Sequence, residues 1–385
     1  MKKIKFGLLP RILVAIVLGV ALGGIMPEWC IRTFLTFNGL FSQLLGFLIP
    51  LIIVGMVIPA IADIGRGAGR MLLYTVLLAY ASTIVAGLVS YFTGALTFPS
   101  LIDTSASLDA AAETAKLAPY FTVEIAPLMS VMTALVFAFM VGLGLAYLKG
   151  DALRKVAVDF GDLVTMTIES VIIPLLPLYI FGIFLEMTAA GEVMRVIGVF
   201  IKIIGVIFVL HIVWLVVLYS VAGMVSKKNP FKMLGTMLPA YFTALGTQSS
   251  AATIPVTLEQ SRRMGVSDEV SGFVVPLCAT IHMSGSMLKI VACALALMLM
   301  QGINYDFGML FGFICMLAIT MVAAAGVPGG AIMAALGVLA TMLGFSAEDQ
   351  ALMISLYIAM DSFGTACNVT GDGALAAIMD RINKK

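Results

Sequence analysis

What most constrains this chain is a succession of apolar runs, each long enough to cross a lipid bilayer. They cover residues 8–26, 35–62, 71–98, 127–148, 164–188 and 193–225, with a further long run at about 270–300. A helix crosses about 30 Å of hydrocarbon with about 20 apolar residues, at about 1.5 Å of rise each. Hydrophobic residues make up 61% of the 385 and charged residues 11%, against about 25% charge in an ordinary soluble domain. Room remains for about eight or more spans with short loops, and for no sizeable soluble domain. The expected fold is an all-α polytopic membrane protein.

The same numbers remove several function classes. A net charge of +1 with no polybasic tail argues against nucleic acid as a partner. Cys30, Cys278, Cys293, Cys315 and Cys367 form no C-x-x-C pattern and read as buried free thiols. Lys2-Lys3-Ile4-Lys5 followed by an apolar run imitates a secretory leader, but Met26-Pro27-Glu28-Trp29 offers no small-residue cleavage site, so a retained first helix is expected. No His/Asp/Ser arrangement at catalytic spacing, metal-ligand cluster or nucleotide loop appears, so no enzyme is expected.

Two segments depart from the simple pattern. Residues 233–262 hold two short apolar arms around Gly246-Thr247-Gln248-Ser249-Ser250, and residues 307–345 hold two more around Ala325-Gly326-Val327-Pro328-Gly329-Gly330. A last helix is expected from about 350 to 380. Broken helices leave backbone groups unpaired, which lipid does not tolerate, so such breaks sit inside protein or beside a water-filled cavity. A loop between two ordinary spans is the alternative, but each arm is short for a full span, and reentrant hairpins are expected. Lys2, Lys3, Lys5, Arg66, Arg70, Lys149, Arg154, Lys155, Lys227, Lys228, Lys232, Arg262, Arg263, Arg381, Lys384 and Lys385 fall on one side if the first hairpin enters and leaves there. Asp103, Asp109, Glu113, Glu348 and Asp349 take the other side. Both termini are then cytoplasmic, and the hairpins enter from opposite faces around a midplane site, as in an inverted repeat.

Polar residues gather in the last third. Asp361, Thr365, Asn368 and Asp372 stand at i, i+4, i+7 and i+11 and share one helix face. A carboxylate at bilayer depth costs a few kcal/mol or more, so it turns inward and meets a cation. A packing network satisfied by Ser and Thr hydroxyls is the bland alternative; a site for an ammonium group and a metal cation is the functional one. The run from Thr247 to Pro255 is dense in small hydroxyl residues, and a half-helix start with free N–H groups suits a carboxylate. His282-Met283-Ser284-Gly285-Ser286 interrupts an otherwise apolar helix. His282 is there either a hydrogen-bonded core residue or a proton carrier. Lys289 is a second intramembrane charge, expected to meet an internal carboxylate.

Together these pieces resemble the dicarboxylate/amino acid:cation symporter family, the glutamate-transporter-like carriers. The resemblance covers roughly residues 230–380 at motif level, and the first half agrees in hydropathy only. Ser249-Ser250-Ala251-Ala252-Thr253-Ile254-Pro255-Val256-Thr257 is similar to the family's serine-rich hairpin, and Val275-Pro276-Leu277-Cys278-Ala279-Thr280-Ile281 with His282–Ser286 to its seventh helix. Gly326-Val327-Pro328-Gly329-Gly330 is similar to its second hairpin tip, and Asn368-Val369-Thr370-Gly371-Asp372 to its most specific signature.

The resemblance implies eight transmembrane helices plus two reentrant helical hairpins, an inverted-repeat elevator transporter that assembles as a homotrimer in a plasma membrane of bacterial inner-membrane type. The scaffold would comprise residues 1–70 (helices 1–2) and 120–190 (helices 4–5). The moving domain would comprise residues 71–98 (helix 3) and 191–385 (helix 6, first hairpin, helix 7, second hairpin, helix 8). By position, Asp361 would bind a substrate amino group, and Asn368 with Ser250 its α-carboxylate. Ser249, Ser286, Val327, Gly364 and Thr365 would complete the pocket. Asn368 and Asp372, with His282 and Cys278 beside them, would hold sodium.

Departures from the family pattern bear on the substrate. Carriers of acidic substrates typically place an Arg three residues after the aspartate matched by Asp361, where this chain has Gly364; an Arg in some members' first hairpin tip corresponds to Gln248. Losing the bidentate fork leaves a second substrate carboxylate poorly compensated. The expectation is therefore a sodium-coupled symporter of small neutral amino acids, serine or threonine first and then alanine. The alternative is a dicarboxylate or acidic amino acid:cation symporter, driven by sodium or protons, with Lys289 in place of the arginine. A channel or substrate-gated anion conductance is a third reading. Ser284 stands where the family's seventh-helix motif usually carries an aspartate, which implies fewer sodium ions than in glutamate carriers. His282 and Lys289 are candidate proton or charge sites, with H⁺ as a second candidate co-ion.

Overall fold

The helices of the chain are set by where its apolar runs stop and by what caps them. The computed structural model describes residues 8–66, 70–102, 117–191, 193–321 and 329–384. Its elements are α1 (Leu8–Gly23), α2 (Glu28–Arg66), α3 (Arg70–Leu101), α4 (Val131–Tyr147), α5 (Ala152–Thr167), a π-helical turn (Ile168–Ile172), α6 (Ile173–Ala189), α7 (Val193–Ser226), α8 (Pro230–Thr247), α9 (Ser250–Arg263), α10 (Asp268–Ile281), α11 (Ser284–Gln301), α12 (Phe307–Met321), α13 (Gly330–Leu343), α14 (Ala347–Ala359) and α15 (Asp361–Asn383). Among the described residues every regular element is thus a helix.

Among them, five stretches are long and apolar enough to cross a membrane: Glu28–Ala62, Arg70–Leu101, Ala152–Ala189, Val193–Ser226 and Asp268–Gln301. The bent pair α14–α15 makes a sixth if it counts as one span. α1, α4, α12 and α13 are shorter apolar helices. The window in Asp268–Gln301 is 94% buried, against 39% in α3 and in α7, so α10–α11 form the centre and α3 and α7 carry an outward apolar face. Leu73, Phe92, Leu96, Ile201 and Met224 are exposed on that face, as side chains against lipid are.

Local chemistry fixes the reversals. Asn229 caps α8 by accepting the Lys232 N–H (3.0 Å), with Pro230 in the first turn, where its missing N–H costs nothing. At the tip of the first hairpin Gln248 takes a left-handed conformation (φ 54°), and Ser249 caps α9 by accepting the Ala252 N–H (3.2 Å). α8 and α9 pack on each other, as do α12 and α13, so both interrupted segments fold back as paired arms. The second tip, residues 322–328 with Val327, lies outside the described residues.

Two sequence expectations change. The run expected at 164–188 belongs to a longer rod that begins at Ala152 and continues through the π turn to Ala189. The last helix, expected as one piece from about 350 to 380, breaks at Met360 and bends by 63°. No Gly or Pro marks that break. Its cause is tertiary: the carboxylate of Asp361, in the first turn of α15, is held from two sides, as described below.

The elements sort by contact. α2 packs against α4, α5 and α6, and α1 against α6; α15 packs against α7, α8, α9, α10 and α11, and α3 against α11 and α12. At one end, Lys228 Nζ donates to the carbonyls of Met264 (2.6 Å) and Gly265 (3.2 Å), Arg262 pairs with Asp268 (2.8 Å), and Asp380 accepts from Ser267 N–H (3.1 Å) and Oγ (2.7 Å). This gathers the basic ends of α7, α9 and α15 on one side, around the acidic start of α10. At the other end Ser346 and Asp349 form a reciprocal cap on α14, and Gln301 donates to Asp349.

Candidate functional site

α10 and α11 are two halves of one buried helix, parted at His282-Met283. The parting frees backbone N–H groups at the start of α11, and α15 supplies their partner. Gly285 N–H donates to Asn368 Oδ1 (2.7 Å), and Asn368 Nδ2 donates to Ser286 Oγ (3.2 Å). Ser286 Oγ in turn lies 2.9 Å from the Tyr357 hydroxyl. The two helices touch at backbone distance: a Cβ on Gly285 would stand 2.6 Å from the Gly364 carbonyl oxygen and 2.7 Å from Cys367 Cβ. His211 Nε2 closes the far side, 2.9 Å from the Gly285 carbonyl.

A buried ion pair occupies the break between α14 and α15. Lys289 is fully buried, and its Nζ lies 2.9 Å from Asp361 Oδ1. Nζ also stands 3.4 Å from the centroid of the Tyr357 ring and 3.5 Å from the Tyr357 carbonyl oxygen. The cation therefore meets the carbonyl end of α14, and the anion meets the amide end of α15, the arrangement both helix dipoles favour. Asp361 Oδ2 accepts the Gly329 N–H (2.9 Å) at the start of α13. One carboxylate thus ties α11 to the second hairpin, and the side chain's removal would leave an ammonium buried with only a ring and a distant carbonyl.

Gly364 explains how the ammonium fits. A Cβ there would lie 2.5 Å from Lys289 Cε and 2.7 Å from Nζ, so Lys289 occupies the space that any side chain at 364 would need.

A second pair lies further along α15. His282 Nδ1 is 2.9 Å from Asp372 Oδ1, and its Nε2 is 3.0 Å from Ser82 Oγ of α3. An ionised carboxylate only accepts, so Nδ1 carries a hydrogen. Both ring nitrogens are engaged, and neither is left to face a cation in this conformation. Cys278 is buried in the last turn of α10, where its carbonyl accepts the His282 N–H (2.8 Å). Two hydroxyls within two residues of the His282–Asp372 pair in sequence, Ser284 Oγ and Thr370 Oγ1, are buried without a hydrogen-bond partner. A carboxylate such as Asp372 and neutral oxygens such as these are the kind of ligand that a hard cation takes. Among the described residues no group of three or more His, Cys, Asp or Glu is placed to hold a metal ion.

One small cavity brings the predicted residues together. It is lined by Gln248 and Ser250 of the first hairpin, Ser286 of α11, Tyr357 of α14, and Asp361, Thr365 and Asn368 of α15, among others. Ser249 sits beside it as the cap of α9; Lys289 and Gly364 lie behind Asp361 and Tyr357 rather than on its wall. Gln248 Nε2 donates to Ser362 Oγ (2.8 Å), which fastens the first hairpin tip to α15. Sequence reasoning did not single out Tyr357 or Ser82, and it marked Gly329 only as part of the second hairpin tip. Tyr357 stands four residues before Asp361, a spacing that would have flagged it as a neighbour.

A model of the sodium:dicarboxylate symporter family matches residues 8–382. The chain is 34% identical over 161 residues to excitatory amino acid transporter 2 of Homo sapiens, covering 42% of this chain and 28% of that one. It is 30% identical over 243 residues to excitatory amino acid transporter 1 of Rattus norvegicus, covering 61% of this chain and 44% of that one. With an excitatory amino acid transporter of Caenorhabditis elegans the identity is 32% over 160 residues, 41% of this chain and 32% of the other. The chain spans less than half the length of these curated relatives.

Proposed function

Because the chain belongs to the sodium:dicarboxylate symporter family, we propose that it carries acidic amino acids or dicarboxylates by cation-coupled symport, with Lys289 as the cation for the second carboxylate. One observation carries this reading. The Lys289 ammonium fills the space over Gly364, the position where the sequence comparison looks for an arginine, and pairs with Asp361. The positive charge is delivered from α11 instead of α15.

Charge accounting supports the assignment. Burying a second carboxylate with no cation nearby costs several kcal/mol, and the Lys289 ammonium offsets that cost. Asp361 then faces a substrate ammonium while still holding Lys289, and the α-carboxylate goes to the amide end of α9, at Ser250, and to Asn368. Thr365, Ser286 and Ser249 shape the wall, with Val327 assigned there by position alone. In this reading Asp372 and Asn368, with the backbone at Cys278, hold sodium, which supplies the driving gradient. His282 serves the Asp372 carboxylate, and H⁺ is the co-ion to test against sodium.

The wider architecture is proposed with it. Eight spans and two reentrant hairpins would form an elevator, with α1, α2 and α4–α6 as scaffold and α3 and α7–α15 as the moving body. The contact pattern supports that partition, since α15 is surrounded by α7–α11. A homotrimer in a bacterial-type inner membrane with cytoplasmic termini completes the proposal.

A second reading, symport of small neutral amino acids such as serine and threonine, is favoured by a specific observation: Asp361 already neutralises Lys289, and the ammonium does not line the cavity. Uptake of radiolabelled L-aspartate, fumarate and L-serine into proteoliposomes, with and without an inward sodium gradient, separates the two. Saturable aspartate or fumarate uptake that Lys289→Met abolishes is the expected result. Serine uptake that excess aspartate leaves untouched would transfer the assignment to the second reading.

A further inference from the structure

Tyr357 touches both ends of the site. Its ring face carries the Lys289 ammonium at 3.4 Å, while its hydroxyl sits 2.9 Å from Ser286 Oγ, which accepts from Asn368. It lines the cavity and is 3% exposed. Lys289 has three N–H donors and a single close anion, Asp361. At 2.9 Å the pair with Asp361 already takes most of that charge, and one further group shares it. The negative face of the Tyr357 ring is that group, and cation–π attraction strengthens when the cation is desolvated.

We infer that Tyr357 is a specificity-determining residue that acts through Lys289: its ring holds the ammonium beside Asp361 and Gly364, behind the cavity wall, so that the charge acts on a substrate's second carboxylate as a field rather than as a contact. The inference rests on the proposed transport of acidic substrates. It assigns to the ring, not the hydroxyl, the job of keeping Lys289 from being fully consumed by its own partner. The ring thereby sets how much positive charge the cavity offers.

The test is aspartate uptake in proteoliposomes, read as KM and Vmax separately. Tyr357→Phe keeps the ring but takes the hydroxyl from Ser286 Oγ, and raises KM by less than loss of the ring does. Tyr357→Leu raises KM by about 10-fold to about 30-fold with Vmax per folded protein little changed. A series of fluorinated phenylalanines at 357 covers the case in which the leucine variant does not fold. Fluorine drains the ring face without changing its shape much, so KM rises stepwise with each fluorine. A flat response across that series, or Phe as damaging as Leu, overturns the inference while aspartate uptake sensitive to Lys289→Met keeps the parent reading. Serine-only uptake by the unmodified protein overturns both.

Discussion

Substituting Gly364 by alanine tests the packing that delivers the cation. The added Cβ would lie 2.5 Å from Lys289 Cε, whereas carbon atoms rest at about 3.5–4.0 Å. Lys289 must therefore retreat by about 1 Å. Its Nζ is held 2.9 Å from Asp361 Oδ1 and over the Tyr357 ring, so the retreat carries the pair beyond hydrogen-bond distance. Overpacking of this kind costs about 1–3 kcal/mol, which corresponds to roughly a 5-fold to 150-fold change in an equilibrium. Thermal unfolding of the purified protein should shift downward, and KM for aspartate should rise. The control is the same substitution in a Lys289→Ala background. There the space is open, and alanine gains about 1 kcal/mol over glycine in a helix, so Gly364→Ala should become neutral or stabilising. An equal penalty in both backgrounds would refute the steric argument and assign the cost to α15 itself.

Three further outcomes are expected. Asp361→Asn leaves the Lys289 ammonium buried without its anion and should lower stability by about 3–5 kcal/mol; adding Lys289→Met should restore much of the unfolding temperature without restoring aspartate uptake. Asn368→Ala strips the acceptor from Gly285 N–H, 2.7 Å away, and should cost about 1–3 kcal/mol, visible both in thermal unfolding and as weaker substrate binding by calorimetry. Asp380→Asn, at the far end where Ser267 and Lys384 meet, should cost about 1 kcal/mol and leave KM for aspartate unchanged; a shifted KM would mean that the base of α15 communicates with the site.

The parts of this molecule that follow from local chemistry were legible in advance. Hydropathy marked the apolar helices, although those of runs 8–26 and 127–148 are shorter than a full span; the Ser249 region announced a helix start, and the spacing of Asp361, Thr365, Asn368 and Asp372 placed them on one face because α15 begins at Asp361. Lys289 was expected to meet a carboxylate and does. The rest depended on contacts between distant segments. Nothing around Met360 signals a break, since the break is stabilised by Lys289 from α11 and Gly329 from α13. His282 read as a lone histidine because Ser82 lies 200 residues away in an apolar helix with no motif of its own. Substrate preference was hardest of all. The missing arginine was visible at Gly364, but only three dimensions show that its space is already filled.

The backbone contact at Gly285 has a mechanical consequence. With the Gly364 carbonyl oxygen and Cys367 Cβ pressed against it, and His211 fastened to its carbonyl, α11 has no slack to slide along or roll over α15. The joint transmits force without deforming. In the proposed elevator, these two half-helices would make the journey as one solid piece. In that proposal the pocket would keep its shape in transit, with Gln248 and Gly329 fastened to this piece by hydrogen bonds to Ser362 and Asp361.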